Sequence, residues 1–201
     1  MTLAAGTDRI ESERLLLRRI TRDDYEFFAR LHATLEVVRY IMNGQPRSAE
    51  ESRAWVDRAA MYPRANLGFL AVVRKSDGRM IGRCGLSELV VEAMAAPGAI
   101  RRGWFQRAQA PTDVELLETP DLGYTFEPAS WGHGYATEAA RCVFDYARAN
   151  LTWPRIVSVI RPDNVRSLRV AERSGLRRDG QLDIMEQVME QFVWPIREDT
   201  T

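Results

Sequence analysis

Apolar and polar positions alternate between short strand-like runs and helical stripes along most of the chain. Leu15-Leu16-Leu17, flanked by Arg14 and Arg18, is short enough for a buried strand. Thr21 is placed to cap a helix whose positions Tyr25, Phe28, Ala29 and His32 follow helical spacing. Val37 to Ile41 predicts a second short helix, ended by Asn43-Gly44 and Pro46. Ser48 followed by Glu51 forms a capping box for a helix to about Met61, with Pro63 as its stop. Gly68 to Arg74 and Met80 to Leu89 read as antiparallel strands joined by a tight turn at Ser76-Asp77-Gly78. From about Val91 to Thr119 the pattern breaks down, apart from a short strand at Val114 to Leu117. That stretch is too long for a hairpin connection, so it is expected to be an insertion or a mobile flap.

Regularity returns at Leu122 to Phe126, a strand ended by Pro128. Trp131-Gly132-His133-Gly134 then leads into a helix from Tyr135 to Asn150, with Ala136, Ala139, Ala140, Val143, Phe144 and Ala147 turned inward. Arg155 to Arg161 is a strand ended by Pro162; Asn164 caps a helix that Gly175 closes. Leu176 to Ile196 suggests two further strands. There is no repeat, low-complexity tract or linker, so the expected organisation is one mixed α/β domain over residues 1–201, its core at about 9–196 and its insertion at about 91–119.

Composition narrows the function. The chain carries 28 basic and 28 acidic residues, with a pI near 6.8, and so lacks the electrostatic footprint of a nucleic-acid binder. Lys75 is the single lysine; every other basic residue is arginine, whose planar fork suits phosphates and carboxylates. Cys84 and Cys142 form no CxxC, and two cysteines cannot staple a chain of this size, which points to a reducing compartment. The first residues lack a secretory pattern, and no apolar stretch approaches the roughly 18 residues of a membrane helix. A soluble, cytoplasmic protein without membrane or nucleic-acid partners is expected.

The sharpest local feature is Trp131-Gly132-His133-Gly134-Tyr135-Ala136-Thr137-Glu138, between a strand and a helix. Glycines there let amide hydrogens converge on one spot, where the helix dipole also favours an anion. This context predicts a phosphate or pyrophosphate site; a glycine-rich turn with no ligand is the plain alternative. A dinucleotide fold is disfavoured, because GxGxxG fails at Thr137, and GxxxxGK[ST] is absent.

A second segment, Arg161 to Leu176, makes the pattern specific. Asp121-Leu122-Gly123-Tyr124, then Trp131 to Ala136, then Asn164-x-x-Ser167 and Gly175-Leu176 together resemble the GNAT superfamily of acetyl-CoA-dependent N-acetyltransferases, and within it the RimJ/RimL branch. Ser12-Glu13-Arg14-Leu15-Leu16-Leu17-Arg18 is similar to the family's opening strand. Trp131 stands where the family usually has Gln or Arg, and Leu176 where phenylalanine is commoner.

The resemblance implies an acyl-CoA N-acyltransferase fold: a mixed, mostly antiparallel sheet of about seven strands flanked by about four helices. Its parallel strands four and five, Leu122 to Pro128 and Arg155 to Arg161 here, would splay around the pantetheine arm of acetyl-CoA. Backbone groups near Tyr124, Thr125 and Phe126 would hold the arm and the thioester carbonyl. Trp131, Gly132, His133, Gly134, Tyr135, Ala136 and Thr137 would form the pyrophosphate loop. Asn164 matches a residue that hydrogen-bonds the cofactor, and Ser167 a hydroxyl that protonates the departing thiolate. Asp121, with Glu88 as runner-up, matches an acidic position suited to a base. Each also fits a plain structural role: a helix cap for Asn164, a first-turn polar residue for Ser167, a salt bridge for Asp121.

Arg155, Arg161, Arg166, Arg169, Arg173, Arg177 and Arg178 gather in the segment expected to meet phosphates. Arg101-Arg102-Gly103-Trp104-Phe105 fits an acceptor lid, a dimer contact or a surface loop, which leaves a homodimer open. Direct transfer needs a neutral amine: an α-amine with pKa about 8 is partly neutral at pH 7, whereas a lysine near 10.4 leans harder on a base. The acceptor is therefore expected to be a protein N-terminus or a small-molecule amine. No GxSxG exists, and two histidines are too few for an evident triad or metal site. The rival reading is a non-catalytic acyl-CoA-binding regulatory module of the same fold.

Overall fold

The computed structural model describes residues 9–61 and 68–195; Pro63 and Ile196 lie outside the described residues. The chain forms two compact units, one from residues up to Gly85 with Gly123–Asn150, the other from Leu86–Leu122 with residues from Leu151 onward.

In the first unit, β1 (Arg9–Glu11), β2 (Leu15–Arg19), β3 (Phe69–Arg74) and the start of β4 (Met80–Glu92) form an antiparallel ladder. Leu15 and Leu17 alternate inward and are fully buried, as period-two patterning requires. Lys75 fastens the edge: its ammonium donates to the Ser12 carbonyl and pairs with Glu11, each at 2.8 Å. Helices α1 (Tyr25–Ala33), α2 (Leu35–Val38) and α3 (Ala49–Ala60) enclose a cluster of Ile20, Phe28, Leu31, Val38, Trp55 and Val56. The rings of Phe28 and Trp55 lie 5.0 Å apart at its centre. The Ser48 capping box forms as expected, with Glu51 N–H donating to Ser48 Oγ and Ser48 N–H to Glu51 Oε2.

Two helix limits differ from expectation. A 3₁₀ turn at Arg22–Asp24 precedes α1, because the Asp24 carboxylate accepts the Thr21 N–H and pairs with Arg18. The second helix sits at 35–38 rather than 37–41, started by Thr34 as its N-cap. The last part of β6 (Leu116–Phe126) and α4 (Tyr135–Asn150) complete this unit; α4 buries Ala139, Ala140, Val143, Phe144 and Ala147 and packs on β1 and β2. Gly82 allows β6 to approach β4, since a Cβ there would lie 2.3 Å from the Thr125 carbonyl oxygen.

The second unit is a mixed sheet. The end of β4 pairs antiparallel with β5 (Arg102–Trp104), and β5 parallel with β8 (Arg177–Ile184). β8 and β9 (Gln187–Pro195) are antiparallel, as are β9 and β7 (Arg155–Ile160). β6 and β7 run parallel, with Asp121 opposite Val157, as the resemblance implies for this pair. Leu89, Val91, Val157, Leu182, Ile184 and Met189 form the core here, and α5 (Val165–Ser174) packs on β7.

The strands number nine among the described residues, against about seven expected, and the α-helices five against about four. The surplus strands, β1 and β5, are too short to leave a pattern, and the surplus helix is the single turn of α2. The segment read as an insertion is partly ordered into the sheet: β4 continues to Glu92, β5 lies inside it, and β6 begins at Leu116. Glu92, buried, accepts from the Arg102 backbone and side chain and thereby fixes β5 beside β4. Phe105, in the stretch read as an acceptor lid, a dimer contact or a surface loop, packs against the core of this unit. No helix among the described residues is long and apolar enough to cross a membrane.

Candidate functional site

The site begins where β6 ends. Hydrogen bonds alternate in direction along a strand. The Thr125 carbonyl faces β4 at Gly82, and Glu127 N–H donates to the Ile81 carbonyl, so the backbone groups of Tyr124 and Phe126 lie on the edge away from β4. The Phe126 carbonyl accepts the Trp131 indole N–H at 2.8 Å. Trp131 thus ties the following loop to the strand end while its ring packs on the first unit's core. The Thr125 hydroxyl is buried and makes no hydrogen bond among the described residues.

A 3₁₀ turn at Pro128–Ser130 delivers the chain to the loop. Gly132 and Gly134 adopt φ of +79° and +81°, the left-handed region that other residues enter at a cost. A Cβ on Gly132 would meet nothing within 4 Å, so conformation, not crowding, demands glycine there. α4 starts at Tyr135, and its first-turn amides have no partners within the helix. Exposed residues 132–134 and half-buried Tyr135, Ala136 and Thr137 together form an amide-rich concavity at a helix N-terminus. The His133 side chain is exposed, edge-on to the Tyr135 ring at 5.7 Å.

One carboxylate sits in this first turn, and the chain's N-terminal strand region neutralises it. Glu138 accepts from the Arg14 backbone N–H (2.8 Å), the Arg14 guanidinium (2.7 Å) and the Ser12 hydroxyl (2.7 Å). Arg14 also donates to the His133 carbonyl at 3.1 Å and lies over the Tyr135 ring at 4.8 Å. Burial raises the Glu138 pKa, but the Arg14 N–H, the Ser12 hydroxyl and the Arg14 charge outweigh it, and the net shift is downward. A depressed carboxylate pKa stabilises the fold above the unfolded value of about 4.3, and that contribution disappears as pH falls through the folded value. A Glu138→Gln variant is therefore expected to melt below the parent near pH 7, with the gap closing under acid; thermal melts across pH check this.

In the second unit, Asn164 Oδ1 accepts the Ser167 backbone N–H at 3.2 Å and caps α5, which Gly175 closes at φ +101°. Asp121 is buried: Val159 N–H donates to its Oδ1 at 3.2 Å and the Ser87 hydroxyl to its Oδ2 at 3.3 Å. Glu88 is exposed. Part of the arginine cluster is committed to local pairs, Arg161 with Asp163 and Arg178 with Glu190. Both cysteines are buried; burial pushes both thiols up, Cys142 to about 11, so neither resembles an activated nucleophile.

The structure thus places Tyr124 through Thr137 in the first unit, and Asp121, Asn164 and Ser167 in the second, where Asn164 and Ser167 meet at the α5 cap. Sequence reasoning missed Ser12 and Arg14 as partners of the loop's Glu138, because they lie far from it in the chain. Among the described residues no group of three or more His, Cys, Asp or Glu could hold a metal ion.

Comparison with known proteins agrees with this geometry. A family profile described as an acetyltransferase (GNAT) domain matches residues 14–177. The probable N-acetyltransferase YjcK of Bacillus subtilis (strain 168) is 28% identical over 168 residues, covering 84% of this chain and 75% of that protein. A GNAT-family acetyltransferase from Bacillus anthracis superposes with a TM-score of 0.69 at 21% identity, covering 94% of this chain and 99% of that one. The aminoglycoside acetyltransferase AAC(6')-Ib, solved with coenzyme A, superposes at 0.64 with 14% identity, covering 90% and 94%; another structure of AAC(6')-Ib holds acetyl-CoA.

Proposed function

We propose, on the premise that this chain belongs to the GNAT acetyltransferase family, that it moves the acetyl group of acetyl-CoA to a primary amine by direct attack in a ternary complex. The carrying observation is the loop at residues 131–137: it holds two left-handed glycines, opens a helix and contains no acid. The one carboxylate in the helix's first turn, Glu138, is neutralised by Arg14 and Ser12. A pyrophosphate needs such a set of amide donors with the nearby negative charge cancelled.

When bound, acetyl-CoA supplies an activated thioester. Trp131 fixes the loop, and the amides from Gly132 to Thr137 receive the pyrophosphate. The backbone of Tyr124, on the strand edge away from β4, holds the pantetheine arm and thioester carbonyl, with Thr125 and Phe126 flanking it. Asn164 uses its Oδ1 for the α5 cap and offers its amide N–H to the cofactor. Ser167 donates its proton to the leaving thiolate, and Asp121 takes the proton from the amine. The acceptor is an α-amine or a small-molecule amine, in keeping with the RimJ/RimL resemblance. Two buried, unlinked cysteines suit a cytoplasmic setting.

The test pairs calorimetric titration of acetyl-CoA with thiol release across a panel of N-terminal peptides and small primary amines. Saturable binding with thiol release on at least one amine is expected. Tight binding with no release on any amine overturns the transfer reading in favour of a ligand-sensing module.

A further inference from the structure

We infer that a pocket formed by α1, α2, the segment after them and β4 binds a carboxylate of the acceptor, so that the amine acetylated belongs to a small amino carboxylate, an amino acid or a close chemical relative. This deepens the proposed amine transfer and rests on it. His32 on α1, Val38 on α2, Ile41, Met42, Asn43, Gln45 and Arg47 in the segment that follows, and Arg83 on β4 line a small concavity that opens to solvent. The lining segment is held in place: Arg47 N–H donates to the His32 carbonyl, and Gln45 N–H to Asn43 Oδ1, each at 3.1 Å.

The chemistry of this lining is one-sided. It contains two guanidiniums, an imidazole and two carboxamides, and neither Asp nor Glu. Arg83 is only 7% exposed; its guanidinium lies 4.0 Å from the Phe69 ring centre and 5.2 Å from that of Trp55. Arg47 approaches the same Trp55 ring, at 5.9 Å. Aromatic faces offset part of the cost of burying a cation. A carboxylate in this lining matches the planar donor fork of arginine. Of the two acids that follow Arg47 in the chain, Glu50 and Glu51, the second accepts the Ser48 N–H in the α3 cap and attracts Arg47 from outside the pocket lining.

His32 supplies the independent sign of a ligand. It lines this pocket, is 2% exposed, and its Nδ1 has no hydrogen-bond partner among the described residues. Buried polar atoms in native folds nearly always find partners. Burial first, then the Arg47 and Arg83 charges, lower its pKa to about 3, so the ring is neutral and can donate one N–H without adding to the positive charge. Location completes the case. Arg83 Nη1 lies 3.9 Å from where a Gly123 side chain would begin, one residue before Tyr124. A carboxylate on Arg83 therefore places an α-amine, a single carbon away, beside the strand proposed to present the thioester. The same wall opposes a polycationic acceptor such as an aminoglycoside.

The experiment compares kcat/KM for thiol release on common L-amino acids, each as free acid and as primary amide, and on amidated peptides whose second residue is Glu. Free acids are expected to exceed their amides by at least about tenfold. Arg47→Met is expected to erase that preference by raising KM for the acids alone, and Arg47→Lys to recover most of it. With only two histidines in the chain, the His32 ring signal in NMR reads the pocket directly: it should shift saturably with a free acid and not with its amide. Equal kinetics for acids and amides, or an unmoved His32 signal while acetyl-CoA still binds, overturns the inference. Preference for the Glu-bearing peptides overturns the small-molecule assignment. Loss of acetyl-CoA binding instead removes the transfer reading, and the NMR arm still decides the pocket.

Discussion

A Gly134→Glu variant is expected to bind acetyl-CoA at least about a hundredfold more weakly than the parent, with its melting temperature little changed. Two effects add. Gly134 sits at φ +81°, and a side chain in that region costs roughly 1–2 kcal/mol, strain that distorts the loop rather than the core because the residue is exposed. The new carboxylate also faces the amide-lined concavity where two phosphates are to bind, and repels them. Arg14 Nη2, 3.6 Å from the position of the new Cβ, can pair with it, but only by weakening the restraint on Glu138. A Gly134→Ala variant separates the terms: it carries the backbone strain without the charge and should lose about tenfold. Calorimetric titration of both variants reads the result. Normal affinity in Gly134→Glu would mean that the phosphates bind elsewhere.

Replacing Ser167 with alanine is expected to lower kcat by about a hundredfold or more, the scale of a lost proton donor, while acetyl-CoA affinity stays within about twofold. The local structure makes this a clean substitution. The α5 cap runs from the Ser167 backbone N–H to Asn164 Oδ1, so alanine keeps it, and alanine is the better helix former. Only the hydroxyl is removed. Single-turnover thiol release beside equilibrium binding resolves the two quantities. An unchanged kcat would leave Ser167 as a first-turn residue with no part in the chemistry.

Features written in a few neighbouring residues were legible before the structure. The limits of α4 at Tyr135 and Asn150, the Ser48–Glu51 box and the Asn164 and Gly175 caps are all local codes, and each appears where expected. β6 was read as two pieces, Val114 to Leu117 and Leu122 to Phe126, because Pro120 looks like a strand break, yet one strand runs through it from Leu116. β5 was taken for loop because its central residue is Gly103; the sheet requires that glycine, since a Cβ would lie 2.6 Å from Ile184 Cδ1. Pairings over long chain distances left no local trace. Glu138 meets Arg14 across 124 positions, and Arg83 reaches the aromatic pair of Trp55 and Phe69 only once α3 packs on the sheet. The arginine-rich stretch from Arg155 pointed to phosphates, offset in sequence by Asp163 beside Arg161, but Glu190, which engages Arg178, was visible only in the fold.

The tether at the sheet edge has a practical side. Lys75 is the one side-chain amine in the sequence, and it is held between the Ser12 carbonyl and Glu11. Thioesters acylate exposed lysines without any catalyst, and an enzyme that works in their presence is ordinarily decorated by its own donor. Here self-modification of side chains has a single, tied-down target. Whole-protein mass spectra taken after long incubations should therefore stay simple, and the acetyl groups counted in an assay belong to the acceptor.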